Sequence, residues 1–340
     1  MERGDASSTN ADWMSQLPEE LWGTPLWDLA IPGSHDSMSY CLDTHSPVLG
    51  SESFMLQFLD RLAPCIVRPC VYRWATTQAW SIPEQLDAGI RFFDLRIAHK
   101  TIKNTQDFLK THNTDDTLYF AHAIYTLQTV KEALSTMAVW LEQHQKEVVI
   151  LSCSHFYLLT DSEHQALVCY ITQLFKEKLC PHRYRIDKTP LLPVSETPYL
   201  SQCWDLGQQV IISYDDETIL HQHKELWPKI PYWYADSADP KEVISYLEEQ
   251  QKAQGRAAHF FTSGLNLTED TAVVVCNPCL TMRKLTMKSF SLLLDWVEKQ
   301  TPGPNQTAVN IICGDFVGLN HFASVVIGLN KKLLKTESHR

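Results

Sequence analysis

Apolar runs of strand length alternate with segments of helical period along the whole chain, and no other feature constrains the fold as much. The runs are Leu26 to Ile31, Ile90 to Ile97, Leu118 to Ala123, Glu147 to Cys153, Gln209 to Tyr214, His259 to Leu265 and Ala308 to Cys313. Several are continuously apolar, as strands covered on both faces are. Between them, Leu127, Val130, Leu134, Met137, Ala138 and Leu141 fall on one helical stripe, and Thr129 with Glu132 has capping-box spacing. Thr160 with Glu163 repeats that spacing ahead of Leu167, Tyr170, Ile171 and Leu174. Asp239-Pro240 followed by Glu242 puts a cap, a proline and a carboxylate where a helix starts. Such alternation builds either an open doubly wound sheet or a closed (β/α)-type barrel. The chain has no G-x-G-x-x-G after its first strand and no G-x-x-x-x-G-K-[ST] anywhere, which favours the barrel over the nucleotide-binding sheets.

No repeat, low-complexity segment or Gly/Ser linker divides the 340 residues. The expected organisation is therefore a polar segment over 1–24, one barrel over 25–335 with a rim insertion at about 41–80, and a short tail over 336–340. A chain of this size buries roughly 75% of its unfolded surface and needs no disulfide staple. The ten cysteines read as buried free thiols of a reducing, cytoplasmic compartment. Cys276 and Cys279 have C-x-x-C spacing but no second pair, so packing around the Asn277-Pro278 turn is the expected role.

The polar start, Met1 to Asp5, leads into no apolar signal region, and neither end carries a lipidation pattern. Apolar stretches such as Ala272 to Cys276 fall far short of the roughly 20 residues that span a bilayer. Any lipid contact is therefore expected to be peripheral. A net charge of -11 argues against a nucleic-acid partner, which would require clustered cations.

Reactive side chains of a parallel barrel sit where its strands end. The strand ends here carry Ser34-His35-Asp36, Asp94-Leu95-Arg96, His122 and Gly314-Asp315. Singly these are weak signals, because a lone His is usually structural, Asp-x-Arg is often a local ion pair and Gly-Asp is a common turn. Together they form a set. Two histidines can divide acid and base work near neutral pH. An arginine fork matches phosphate oxygens, and carboxylates hold imidazoles in one tautomer. The set suits cleavage of a phosphodiester whose own hydroxyl serves as nucleophile.

The stretches Leu29 to Ser37 (LAIPGSHDS), Gln85 to Arg96 (QLDAGIRFFDLR) and Asn310 to Phe316 (NIICGDF), with His122, resemble the X domain of phosphatidylinositol-specific phospholipase C. From about Pro25 to Leu334 the chain is similar to the vertebrate X-domain-only proteins of that family. The resemblance implies an irregular TIM-type barrel in a single domain. It makes His35 the general base toward the inositol 2-hydroxyl, with Asp315 orienting it, and His122 the general acid toward the diacylglycerol oxygen, supported by Asp36. Arg96 would face the phosphate with Asp94 fixing its surroundings. The products implied are diacylglycerol and inositol 1,2-cyclic phosphate.

Large signalling relatives carry an acidic calcium ligand where this chain has Arg96, and a guanidinium cannot ligate a cation. Catalysis without calcium or any other cofactor is the resulting expectation. Relatives also place basic residues on the middle strands to hold the headgroup. Leu151 to His155 and Ile212 to Asp215 contain none, which points to unphosphorylated phosphatidylinositol and leaves His155 and Tyr214 as candidate substrate contacts.

In the insertion, Phe54, Met55, Phe58, Tyr72, Trp74 and Trp80 interleave with Arg61, Arg68 and Arg73. That pattern suits either a membrane interface or a cover for the barrel end. The run Asn330 to Lys335 reads as a helix end whose cations complement its dipole. Two alternatives stand beside a lipase: an inositide-binding scaffold that keeps the pocket, and glycerophosphodiester hydrolysis, which would use a divalent cation.

Overall fold

A computed structural model describes residues 10–100, 117–182, 198–254, 260–268 and 280–337; the Cys276 and Cys279 pair and the Asn277-Pro278 turn lie outside them. Seven strands run parallel: β1 (Ile31–Ser34), β2 (Phe92–His99), β5 (Val149–Tyr157), β6 (Val210–Tyr214), β7 (Tyr232–Trp233), β8 (Thr262–Gly264) and β9 (Ile311–Gly314). Their order is β6-β5-β2-β1-β9-β8-β7. Among the described residues no ladder joins β6 to β7; a single bridge from Ser213 to Trp227 stands at that seam. The result is a curled, incompletely closed barrel in one domain, the irregular TIM-type architecture expected.

Strand parity sorts the side chains. Phe92, Ile150 and Ile211 lie side by side across β2, β5 and β6. With Ile31, Ile311 and Cys313 they fill the barrel interior against Trp13, Met14 and Trp27. The alternate set, Phe93, Leu151, Ile212 and Ile312, packs outward under helices through Leu86, Leu134 and Leu167. The two capping boxes form as read: Thr129 and Glu132 start α4 (Val130–Gln143), and Thr160 and Glu163 start α5 (Asp161–Phe175). Asp239 likewise accepts from the Lys241 N–H at 2.8 Å ahead of α8 (Pro240–Gln254).

Several expectations need correction. The run Leu26 to Ile31 is not a strand until Ile31. Leu26–Asp28 forms a 3-10 turn, and the carbonyls of Leu26 and Leu29 are satisfied by the Asn310 side chain at 3.1 and 2.9 Å rather than by a ladder. Leu127 is exposed and belongs to β4 (Ile124–Thr129), because the cap at Thr129 delays the helix to Val130. The third strand, β3 (Leu118–His122), is antiparallel to β2 and forms a hairpin with β4. Among the cysteines, Cys65 and Cys169 are exposed rather than buried.

The N-terminal stretch is also more than a polar lead-in. Trp13, Met14, Leu17 and Leu21 are buried against the barrel base. There Arg91 and Glu147, both with side chains wholly buried, form an ion pair at 2.7 Å. Arg91 also donates to the carbonyls of Leu86, Ile90 and Ala11, while Glu147 accepts from the N–H groups of Met14 and Ser15. At the other end, Asn330 exchanges hydrogen bonds with the Ala30 backbone at 2.8 and 3.0 Å. The lysines after it open a new helix, Lys331–Glu337, instead of ending one, and Lys332 donates to the carbonyls of Glu298 and Gln300 at the C-terminus of α9 (Met282–Lys299). The cation complements a dipole, but that of a neighbouring helix.

Removing one partner of a buried pair strands the other's charge. Glu147→Gln is therefore expected to lower unfolding free energy by about 3–5 kcal/mol, measured by urea denaturation. A loss below about 1 kcal/mol would place the pair's weight elsewhere.

Candidate active site

Parity aims the chemistry inward. Asp94 and Arg96 follow Phe92 at two-residue steps on β2, and His35 and Asp315 continue the inward rows of β1 and β9 beyond Gly33 and Cys313. His122 arrives differently. β3 pairs with the upper end of β2, Ile97 opposite Phe120, so the hairpin rises above the mouth and returns His122 toward it. The chain turns sharply at these points: Asp36, Ala123, His155 and Phe316 all have positive φ, from 41 to 59°. Such backbone strain gathers at sites held by their surroundings.

The His35 and His122 rings face each other edge to face with centroids 6.2 Å apart. His35 Nδ1 pairs with Asp315 Oδ1 at 2.8 Å, and Arg96 Nη2 donates to His35 Nε2 at 2.9 Å. A guanidinium can only donate, so Nε2 is the acceptor and Nδ1–H points to Asp315. His122 Nδ1 donates to the Ala75 carbonyl at 2.7 Å, which turns its Nε2 inward, 3.3 Å from Asp36 Oδ2. That same Asp36 oxygen lies 3.2 Å from His35 Nε2. Asp36 Oδ1 binds Arg96 Nε at 2.7 Å, and Asp94 Oδ2 meets Arg96 Nε at 3.3 Å and the Asp36 N–H at 3.1 Å. The six residues expected at the mouth are thus brought together around Asp36.

Burial by itself favours a neutral His35, but the Asp36 and Asp315 carboxylates outweigh it and raise its pKa above the ordinary imidazole value. Burial opposes charge on Asp36 as well, yet Arg96, His122 and His35 hold its carboxyl below the usual range. Asp315, buried and close to Asp36, is raised. His35, Asp36 and Asp94 bring potential metal ligands within 4.8 Å of one another. Arg96 already bonds both carboxylates, and the cleft bounded by Asp36, Asp94, Arg96 and His122 holds about 10 Å³, close to one water's worth.

Of the two candidate substrate contacts, Tyr214 is excluded. It has the outward parity of Ile212, is fully buried, and hydrogen-bonds His164 of α5 at 2.7 Å. His155 does lie at the rim, exposed, where desolvation and the nearby Arg96 hold its pKa below the ordinary value. No motif marks the segment that closes the insertion. Gln78 donates to the carbonyls of His35 and Gly314 at 2.8 and 3.0 Å, Thr77 donates to the His35 carbonyl at 3.1 Å, and Ala75 orients His122. Tyr232 was equally hidden; its ring lies 6.1 Å from that of His35, and its hydroxyl donates to Asn266 Oδ1 at 3.0 Å. A glutamine and a backbone carbonyl carry no motif, but the inward parity of Tyr232 would have been readable had β7 been foreseen.

The raised pKa of His35 has a testable source. Asp315→Asn removes a negative charge and leaves only a neutral amide beside Nδ1–H, so the folded-state pKa of His35 should fall, and the imidazole should stay neutral to lower pH. Histidine ring titration by NMR reads this directly; an unchanged midpoint would mean Asp315 does not govern the ring.

No protein-family model matches the chain. Curated relatives do: the PI-PLC X domain-containing protein 1 of Danio rerio is 49% identical over 322 residues, covering 94% of this chain and 96% of the relative. The human protein of the same name is 43% identical, with 96 and 94% covered, and the type 3 protein of Danio rerio is 34% identical, with 96 and 95% covered. Among solved structures, the phosphatidylinositol-specific phospholipase C from Listeria monocytogenes aligns with a TM-score of 0.61 at 18% identity, covering 95% of this chain and 99% of that one. That likeness shows a shared fold. With geometry, motifs and near-complete similarity in agreement, the chain belongs to the PI-PLC X domain-containing protein family, with type 1 members the most similar of those compared.

Proposed function

We propose that this protein cleaves phosphatidylinositol in phospholipase C fashion, by acid/base catalysis between His35 and His122 and without a metal ion. The observation that carries this reading is the pair of imidazoles facing each other at 6.2 Å with Arg96 bonded beside them. At rest Arg96 caps His35 Nε2. An incoming phosphate competes for that guanidinium and frees the nitrogen to take the proton of the inositol 2-hydroxyl. The 2-oxygen then attacks phosphorus, the bond from phosphorus to the glycerol oxygen breaks, and His122 gives its Nε2 proton to the leaving oxygen. Asp36, between both rings, steadies whichever is charged, and Arg96 meets the charge growing on the equatorial oxygens. Diacylglycerol and inositol 1,2-cyclic phosphate leave.

Independence from calcium or another metal is supported by Arg96, which bonds both carboxylates a cation would need. An ion entering there would have to expel a guanidinium. Cleavage of this kind needs access to a bilayer, and no described helix is long and apolar enough to cross one. The insertion supports peripheral contact instead. On α1 (Phe54–Leu62) and the start of α2 (Pro64–Ala75), Phe54, Met55, Phe58, Leu59, Leu62 and Ile66 are 43 to 80% exposed. Trp74 is buried with Phe316, and Arg68 is paired with Asp60, so two of the expected interface residues serve packing. A contiguous exposed apolar helix face of this sort suits the headgroup boundary of a membrane. Free exposed thiols at Cys65 and Cys169 fit a cytoplasmic setting.

Phosphatidylinositol vesicles with wild-type protein should yield inositol 1,2-cyclic phosphate by phosphorus NMR, equally with and without EDTA. His35→Ala and His122→Ala should each lose at least about 100-fold in rate. Equal rates in wild type and both variants would remove the mechanism, chelator-abolished activity restored by calcium would remove its metal independence, and vesicle binding with no product would favour a scaffold. Phe54→Ser with Phe58→Ser should weaken vesicle binding severalfold while leaving hydrolysis of a soluble monomeric substrate unchanged.

A further inference from the structure

We propose that the Asp215–Lys229 ion pair, on the rim beside His155, selects for a headgroup ring without added phosphates. This rests on the phosphatidylinositol reading and deepens it. Inward positions on the middle strands are Ser152, Ser154 and Ser213, and the loop after β6 brings a cation, Lys229, to the end of that strand. Lys229 Nζ donates to Asp215 Oδ2 at 2.7 Å. Asp215 itself is placed by its N–H, bonded to the Cys153 carbonyl at 3.0 Å, one strand over and next to Ser154 and His155. The loop is not free to wander. Trp227 N–H bonds the Ile212 carbonyl at 2.7 Å, Tyr214 N–H bonds the Trp227 carbonyl at 2.9 Å, and Ser213 Oγ links Pro228 and Ile230 at 3.0 and 3.2 Å. Asp215 continues the inward row of Ile211 and Ser213 at the end of β6, and the Cys153 whose carbonyl it bonds immediately precedes Ser154 and His155, so the pair sits at the barrel mouth on the His155 side.

The charges argue for a neutral ring. Arg96, Lys229 and the imidazolium that the mechanism places on His122 stand against four carboxyl groups, Asp36, Asp94, Asp315 and Asp215. A phosphodiester brings one negative charge, which Arg96 meets. A further ring phosphate would add about -1.5 to -2 and find Lys229 already neutralised, with Asp215 repelling it. A ring hydroxyl fares better, since it can accept from the ammonium and donate to the carboxylate. Both side chains are partly exposed, 58% for Lys229 and 28% for Asp215, so their substitution leaves the barrel core intact.

The test compares the full-length wild type with Asp215→Asn and Lys229→Met. Cleavage is followed on phosphatidylcholine vesicles carrying phosphatidylinositol or phosphatidylinositol 4-phosphate, and binding of inositol 1-phosphate and inositol 1,4-bisphosphate by calorimetry. Asp215→Asn should raise the ratio of phosphorylated to unphosphorylated ring, in rate and in affinity, by about tenfold, and Lys229→Met should lower it. Ratios unchanged in both variants would overturn the proposal even if the wild type is an active lipase. A shifted binding ratio with no cleavage of either vesicle would uphold the selectivity and sink the catalytic reading. Failure of every form to bind either soluble headgroup and to cleave either vesicle would overturn both.

Discussion

Successive residues of a strand point to opposite faces of its sheet, and this constraint decides what every part of the protein can do. On β2 it sends Phe92, Asp94 and Arg96 into the barrel and Phe93, Leu95 and Ile97 under the helices. On β6 it sends Ser213 in and Tyr214 out, which is why a tyrosine that seemed available for substrate instead bonds His164. The apolar lower layer of Ile31, Ile150, Ile211 and Ile311 makes the polar upper layer affordable to hold in place, because the mouth residues stand on a packed floor.

Above that floor the site is an electrostatic arrangement centred on Asp36. One oxygen holds Arg96 and the other lies between two imidazoles. Neither Oδ2 of Asp36 nor Oδ2 of Asp315 has a hydrogen-bond partner, although both are buried. Buried acceptors without donors are costly, and Asp36 Oδ2 stands between the two imidazoles that exchange protons in the proposed reaction. Arg96 is the counterweight. Its charge is reinforced by Asp36 and Asp94 despite burial, so it stays cationic at any pH the fold tolerates.

The exposed α1 face and the paired 75–78 segment show two uses of one insertion. Its two helices leave Phe54 and Ile66 in solvent, whereas its end reaches back to the His35, Gly314 and His122 positions. An exposed apolar surface and the residues that orient the imidazoles thus belong to one continuous insertion.

Local order was legible in advance. Periodicity and capping residues are short-range, so Thr129 with Glu132, Thr160 with Glu163 and most strands could be read from the chain. So could the histidines, the aspartates and Arg96, since linked motifs mark them. The antiparallel return of β3, the Arg91–Glu147 pair that locks the N-terminal stretch to the base, and the bonds of Gln78 and Lys332 could not. Residue types and their spacing along the chain determine which chemistry is present. The closing of the barrel decides which of those groups meet, because their partners are dozens to hundreds of residues away and contact between them exists only once strand parity and the hydrophobic interior have set the walls.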